Sequence, residues 1–237
     1  MTIKKPPYLS VKMTSRIAGA LIILGIASGI LSIVSSVESE SFLNEVYPNK
    51  NKVLIGAIFQ FLLVPIYIGF SLVLYPVLKK YNKTLSIGFI GFRIMAGVFQ
   101  LLGIILLPIF ILLSQNFLDQ TNTDLMIYET LGEILKLFRD LTNHLGVILA
   151  TGLGNLLLYY ILFKSKLVPA WLSIWGILGN TLIMLASFLL LFKLIEVVSI
   201  EYGIMTIPLV LQEVVLAIWL ISNGLKSTVI TQNNTNN

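Results

Sequence analysis

Six apolar stretches, at 17–37, 53–78, 85–113, 141–163, 170–192 and 204–225, divide the chain, and short polar segments separate them. Each is long enough to cross the hydrocarbon layer of a bilayer, which takes about 17–25 residues. That pattern leaves few folds open. In lipid every backbone N–H and C=O must be satisfied within the segment, so each stretch has to be a helix. Only 11% of the 237 residues are charged and mean hydropathy is +0.92. A water-soluble fold carries roughly 25% charged residues. The expected architecture is therefore an all-α, polytopic membrane helix bundle with six transmembrane helices. It forms a single integral domain over 1–227, followed by a disordered polar tail at 228–237.

Charge placement orients the bundle. With the N-terminus in the cytoplasm, the cytoplasmic segments hold Lys4, Lys5, Lys12, Arg16, Lys79, Lys80, Lys83, Lys164, Lys166 and Lys226, and no acid. The opposite segments hold Glu38, Glu40, Glu45, Asp119, Asp124, Glu129, Glu133, Asp140, Glu196 and Glu201. Only Lys50, Lys52, Lys136, Arg139 and Lys193 lie among them. This asymmetry follows the positive-inside pattern and places both termini in the cytoplasm. Between Asp124 and Asp140, Ile127, Leu131, Ile134, Leu135 and Phe138 recur at helical spacing. They predict a short amphipathic helix on the outer side before the fourth span, either lying on the surface or extending that span.

The net charge of +5 does not indicate nucleic acid, because the bases sit at the ends of apolar segments and form no stripe. The chain has no cysteine, which removes disulfides and thiolate chemistry. It has one histidine, too few for a histidine-rich metal site, and neither HExxH nor GxSxG. No catalytic residue, metal or cofactor is expected, and the reading is that of a protein that is not an enzyme.

Two residues stand out inside the spans. Arg93 and Glu213 carry full charges within apolar stretches. A charge at the middle of a spanning helix costs roughly 2.5–3.5 kcal/mol on the insertion scale. Gln100 shares a helical face with Arg93; Gln60, His144, Asn155 and Asn180 lie on polar faces of other spans. Polar faces in lipid turn inward. These seven residues form the candidate ligand site.

The segments TSRIAGALIILGIASGI, FRIMAGVFQ and LQEVVLAIWLISNGLK resemble bacterial membrane proteins grouped as "domain of unknown function 4386". So does the stretch that carries the turn Lys164, Ser165, Pro169. The resemblance runs from about Thr14 to Lys226. Glu213, Trp219, Leu220 and Gly224 are among its most specific positions. Arg93, His144 and Glu213 fall where the family carries such residues. The resemblance implies a six-helix protein of the bacterial cytoplasmic membrane and brings no activity with it.

Two functions remain. One is a small-molecule or ion transporter, or a sensor, with its polar site around Arg93 and Glu213 and a small polar ligand or ion as partner beside the bilayer. The other is a non-transporting scaffold, subunit or envelope-stress protein in which Arg93 and Glu213 form a structural salt bridge. The sequence does not assign an oligomeric state.

Overall fold

Ser10 opens the first helix by accepting the amide hydrogen of Met13 at 3.2 Å. That satisfies one of the donors that a helix start leaves unpaired. The computed structural model describes residues 9–119, 125–197 and 199–226. The tail at 228–237, Lys4, Lys5 and Asp124 lie outside these residues. The elements are α1 Val11–Leu31, the short helices α2 Ser35–Glu38 and α3 Phe42–Glu45, α4 Lys50–Leu78, α5 Lys83–Asp119 and α6 Leu125–Asp140. A π-helical segment Leu141–Val147 follows, then α7 Ile148–Ser165, α8 Ala170–Leu191 and α9 Ile200–Ser222. No strand occurs among the described residues. Six helical stretches are long and apolar enough to cross a membrane, the fourth being the continuous rod Leu125–Ser165.

One boundary differs from the sequence reading. The first span, expected at 17–37, is a helix at Val11–Leu31. The Ser32 hydroxyl turns back onto the Gly29 carbonyl at 2.7 Å, and the chain breaks before α2. Hydropathy continues through Ile33, Val34 and Val37, so it does not register a serine that competes for helix carbonyls. The helix before the fourth span takes the second of its two expected forms and extends that span. It runs through the π-helical segment into α7 as one rod. Of its apolar stripe, Ile127, Leu131, Ile134 and Phe138 are exposed, while Gly132 and Arg139 are buried. The packing of α7 sets the rotation of the rod. At Gly132 a Cβ would lie 2.7 Å from the Phe42 ring, so glycine admits that ring.

Each of the six spans packs against the next along the chain, and α9 returns onto α1. Short connections make consecutive helices antiparallel neighbours. The resulting ring sets α5 across from α9. The ring closes at the lysine-rich end. Gly224, with φ +72°, lets the chain turn after α9, and its N–H donates to the Trp219 carbonyl at 3.1 Å. A side chain rarely adopts that conformation, whereas glycine does so freely. Leu225 N–H then donates to the Ser15 hydroxyl at 2.9 Å, and Lys226 N–H to the Leu167 carbonyl at 2.9 Å. The two distinctive sequence pieces, the turn before Pro169 and the Gly224 terminus, thus meet in space.

Two apolar clusters fill the ring. One, at the lysine-rich end, includes Leu74, Leu78, Phe89, Leu158, Leu172 and Leu220. The other, at the acidic end, includes Val37, Phe42, Val53, Leu107 and Phe110. The segment between α1 and α4 is pinned over the second cluster. Arg139 pairs with Glu38, and Lys136 Nζ donates to the carbonyls of Glu38 and Ser39 at 3.1 and 3.0 Å. Hydroxyls of Ser41 and Ser39 donate to Glu45 and hold its carboxyl below the usual range. The buried Ser114 hydroxyl donates to the Leu43 carbonyl at 2.6 Å and accepts from Tyr47 N–H at 2.9 Å. Ser114→Ala removes both bonds and is expected to lower unfolding free energy by about 1–2 kcal/mol. A denaturant titration of purified protein in mixed micelles checks this, and an unchanged midpoint would contradict it.

Candidate functional site

Arg93 sits on α5 between the two apolar clusters, on the buried face shared with Phe89, Ala96 and Gln100. Its residue exposure is 5%. The guanidinium carbon lies 5.3 to 5.5 Å from the ring centroids of Phe70, Phe89 and Tyr67. Aromatic faces attract a cation electrostatically, the more so away from water. One terminal N–H donates to Asn155 Oδ1 on α7, in a short charge-assisted bond. Nε is buried without a partner among the described residues.

Donor and acceptor logic fixes the rest of this chain. Arginine has only donors, so Asn155 must present its oxygen. Its amide nitrogen then donates to Asn180 Oδ1 on α8 at 3.0 Å, and Asn180 Nδ2 donates to the Gly176 carbonyl at 2.7 Å. A second chain runs beside it. Tyr159 O–H donates to Gln212 Oε1 at 2.7 Å, and Gln212 Nε2 donates to the Leu172 carbonyl at 3.2 Å. Gly176 makes this approach of α7 to α8 feasible, since a Cβ there would lie 2.5 Å from the Tyr159 ring.

A cavity of about 590 Å³ lies against these groups. Arg93, Asn155, Tyr159, Tyr67, His144 and Glu213 form much of its polar wall. Leu21, Ile26 and Ile30 of α1 and Val210 of α9 contribute apolar wall. The volume falls in the range of small-molecule sites, about 300–1,000 Å³. Glu213 makes no hydrogen bond or ion pair within 4.0 Å with any described residue. The Arg93–Glu213 salt bridge of the scaffold alternative is therefore not formed. The ring sets α5 and α9 across from each other, the cavity occupies the space between, and Asn155 supplies the acceptor that Arg93 needs.

Four of the seven expected site residues line the cavity: Arg93, Glu213, His144 and Asn155. His144 lies in the π-helical segment, and its Nδ1 is 3.0 Å from the Tyr202 hydroxyl. The remaining three lie elsewhere. Asn180 stands behind Asn155 and orients it. Gln60 donates from Nε2 to the Ser32 carbonyl at 3.1 Å and ties α4 to the end of α1. Gln100 is buried on α5 about two turns beyond Arg93, off the cavity wall. Tyr159 and Thr206 line the cavity but were absent from the expected set. The i, i+4 spacing of Asn155 and Tyr159 was the available signal, hidden because tyrosine reads as apolar within a span.

Among the described residues no three His, Asp or Glu side chains cluster as metal ligands would. The site instead offers a fixed cation with a spare donor and a carboxylate with no partner, in one cavity. That arrangement suits a molecule carrying an acceptor and a donor together.

Comparison with curated proteins and with solved structures finds no match. A family model described as "Domain of unknown function (DUF4386)" matches residues 17–224. The match takes in the last five spans, the first from residue 17 onward, and every residue of the cavity wall, and the chain belongs to that family.

Proposed function

We propose that this is a ligand-binding protein of the bacterial cytoplasmic membrane, a transporter or sensor for a small molecule recognised by Arg93 and Glu213. The observation that carries the reading is that these two charges share a cavity wall without bridging each other. A scaffold gains nothing from two intramembrane charges kept apart, each several kcal/mol less stable than an apolar residue there. A binding site uses them, since an unpaired donor and an unpaired carboxylate are satisfied when a ligand arrives. Both termini are placed in the cytoplasm on the charge asymmetry of the connecting segments. The reading includes no enzymic step, because no nucleophile with an activating base lies on the cavity wall.

The chain has no native cysteine, so a single introduced thiol is labelled against zero background. Thr206 lines the cavity, whereas Ala18 is fully buried in the closed end of the bundle. In native membranes Thr206→Cys is expected to react with the small membrane-permeant reagent N-ethylmaleimide at least tenfold faster than Ala18→Cys. Equal protection of both thiols would favour the scaffold.

A further inference from the structure

The cavity is not evenly walled. Near the lysine-rich end α1 and α9 touch closely. A Cβ at Gly19 would lie 2.8 Å from the Ala217 carbonyl, and Leu225 N–H bonds to Ser15. Towards the acidic end α1 leans instead onto α4. Val34 sits over Gly56, and Gln60 holds the Ser32 carbonyl. There α1 and α9 part. A Cβ at Gly29 on α1, or at Gly203 on α9, would meet nothing within 4 Å. The cavity residues beside this gap are apolar and outward: Ile30 is 65% exposed, Ile33 71% and Val210 42%. Arg93, Asn155 and Tyr159 lie deeper and are buried. A shallow groove along Tyr202, Gly203, Thr206 and Ile207 continues the same face of α9 outward.

We infer that the cavity is entered sideways from the lipid phase, through the gap between α1 and α9, by a zwitterionic lipid. Its phosphate meets Arg93, its primary ammonium meets Glu213, and its chain lies in the apolar mouth. This deepens the binding reading above and rests on it. The argument has three parts. A water-soluble ligand needs a polar approach, and this mouth is built of isoleucine and valine where the bilayer lies alongside. The Arg93 guanidinium is buried with Nε unpartnered, a donor that suits a phosphate oxygen. Glu213 has no donor from any described residue, and a primary ammonium supplies up to three, whereas a quaternary one supplies none. A head group with both charges leaves the filled cavity neutral, which a purely anionic head does not.

The test uses the full chain in detergent and native mass spectrometry. The probes are single-chain tetradecanoyl lysophosphatidylethanolamine and its chainless analogue glycerophosphoethanolamine. The expected result is a one-to-one adduct with the lipid and none with the chainless head at equal concentration. Gly29→Trp places an indole at the mouth from a position where a Cβ meets nothing within 4 Å, and is expected to weaken the adduct at least tenfold while the thermal midpoint holds. If that variant fails to fold, Ile33→Trp, at an exposed mouth position, serves instead. Equal binding of both probes, or binding untouched by a folded mouth variant, overturns lateral entry. Absence of any adduct overturns the lipid. Labelling of Thr206→Cys then separates the failures: a reactive thiol leaves a ligand cavity with another occupant, and a protected one removes both readings.

Discussion

Asn155→Leu is expected to destabilise the protein by about 3 kcal/mol, among the largest effects of any single change near the site. Leucine keeps asparagine's branched side-chain skeleton and is not smaller, so the loss is not a cavity effect. The loss comes from Arg93, whose bond to Asn155 is the one hydrogen bond its buried guanidinium makes to a described side chain. Leaving a buried donor without its acceptor costs about 1–3 kcal/mol, and more when the donor is charged. Neutral interhelical hydrogen bonds in membranes average only about 0.6 kcal/mol, so loss of the Asn155–Asn180 bond adds little. The charge decides the magnitude. A second substitution separates this account from general damage to α7: Arg93→Met in the Asn155→Leu background removes the stranded charge and should restore most of the lost stability. Reversible unfolding in mixed micelles, run as a double-mutant cycle, measures the coupling. A cycle that closes with no coupling would show that Asn155 does not serve Arg93.

Gly19→Leu is expected to cost about 3 kcal/mol, at the top of the usual range for overpacking. A Cβ at this position would already meet Ile221 Cγ1 at 2.7 Å and the Ala217 carbonyl at 2.8 Å. The first atom is the branch of a side chain and can shift; the second is backbone and cannot move without moving α9. Small residues let spanning helices approach this closely, and a leucine would wedge them apart. The same helix offers its own control. Gly29→Ala, where a Cβ meets nothing, should be neutral or stabilising by up to about 1 kcal/mol from helix propensity. Thermal midpoints of both variants in one detergent compare the closed and open ends of the α1–α9 pair directly. If Gly29→Ala proved as damaging as Gly19→Leu, the two helices would not diverge as described.

The small-residue row of the first apolar stretch shows how far sequence reasoning reaches. Gly25, Ser28, Gly29, Ser32 and Ser36 read as one packing face in the sequence. In the structure the row is divided. Ser28, Ser32 and Ser36 are buried, while Gly25 and Gly29 line the cavity. Small side chains permit contact and also leave space, and composition does not distinguish the two outcomes. Gln60 and Gln100 follow the same logic. Both were legible as inward polar residues and both are buried, but a polar face specifies a direction and not a neighbour.

By itself the sequence determined the elements whose cause is local. Six apolar runs of bilayer length must be helices because lipid offers no partner to the backbone. Arg93 and Glu213 were conspicuous because a charge in hydrocarbon requires a reason. The tertiary structure alone decided what that reason is. Closing the six helices into a sequential ring sets α5 and α9 on opposite sides, so the charges flank a cavity instead of forming a bridge. It also gave Arg93 to Asn155 and Tyr159 to Gln212, pairings 62 and 53 residues apart. Such partners depend on the rotation and tilt of each helix about its axis. Those angles come from close contacts such as Gly19 on Ala217 and Gly176 on Tyr159, summed over all neighbours at once.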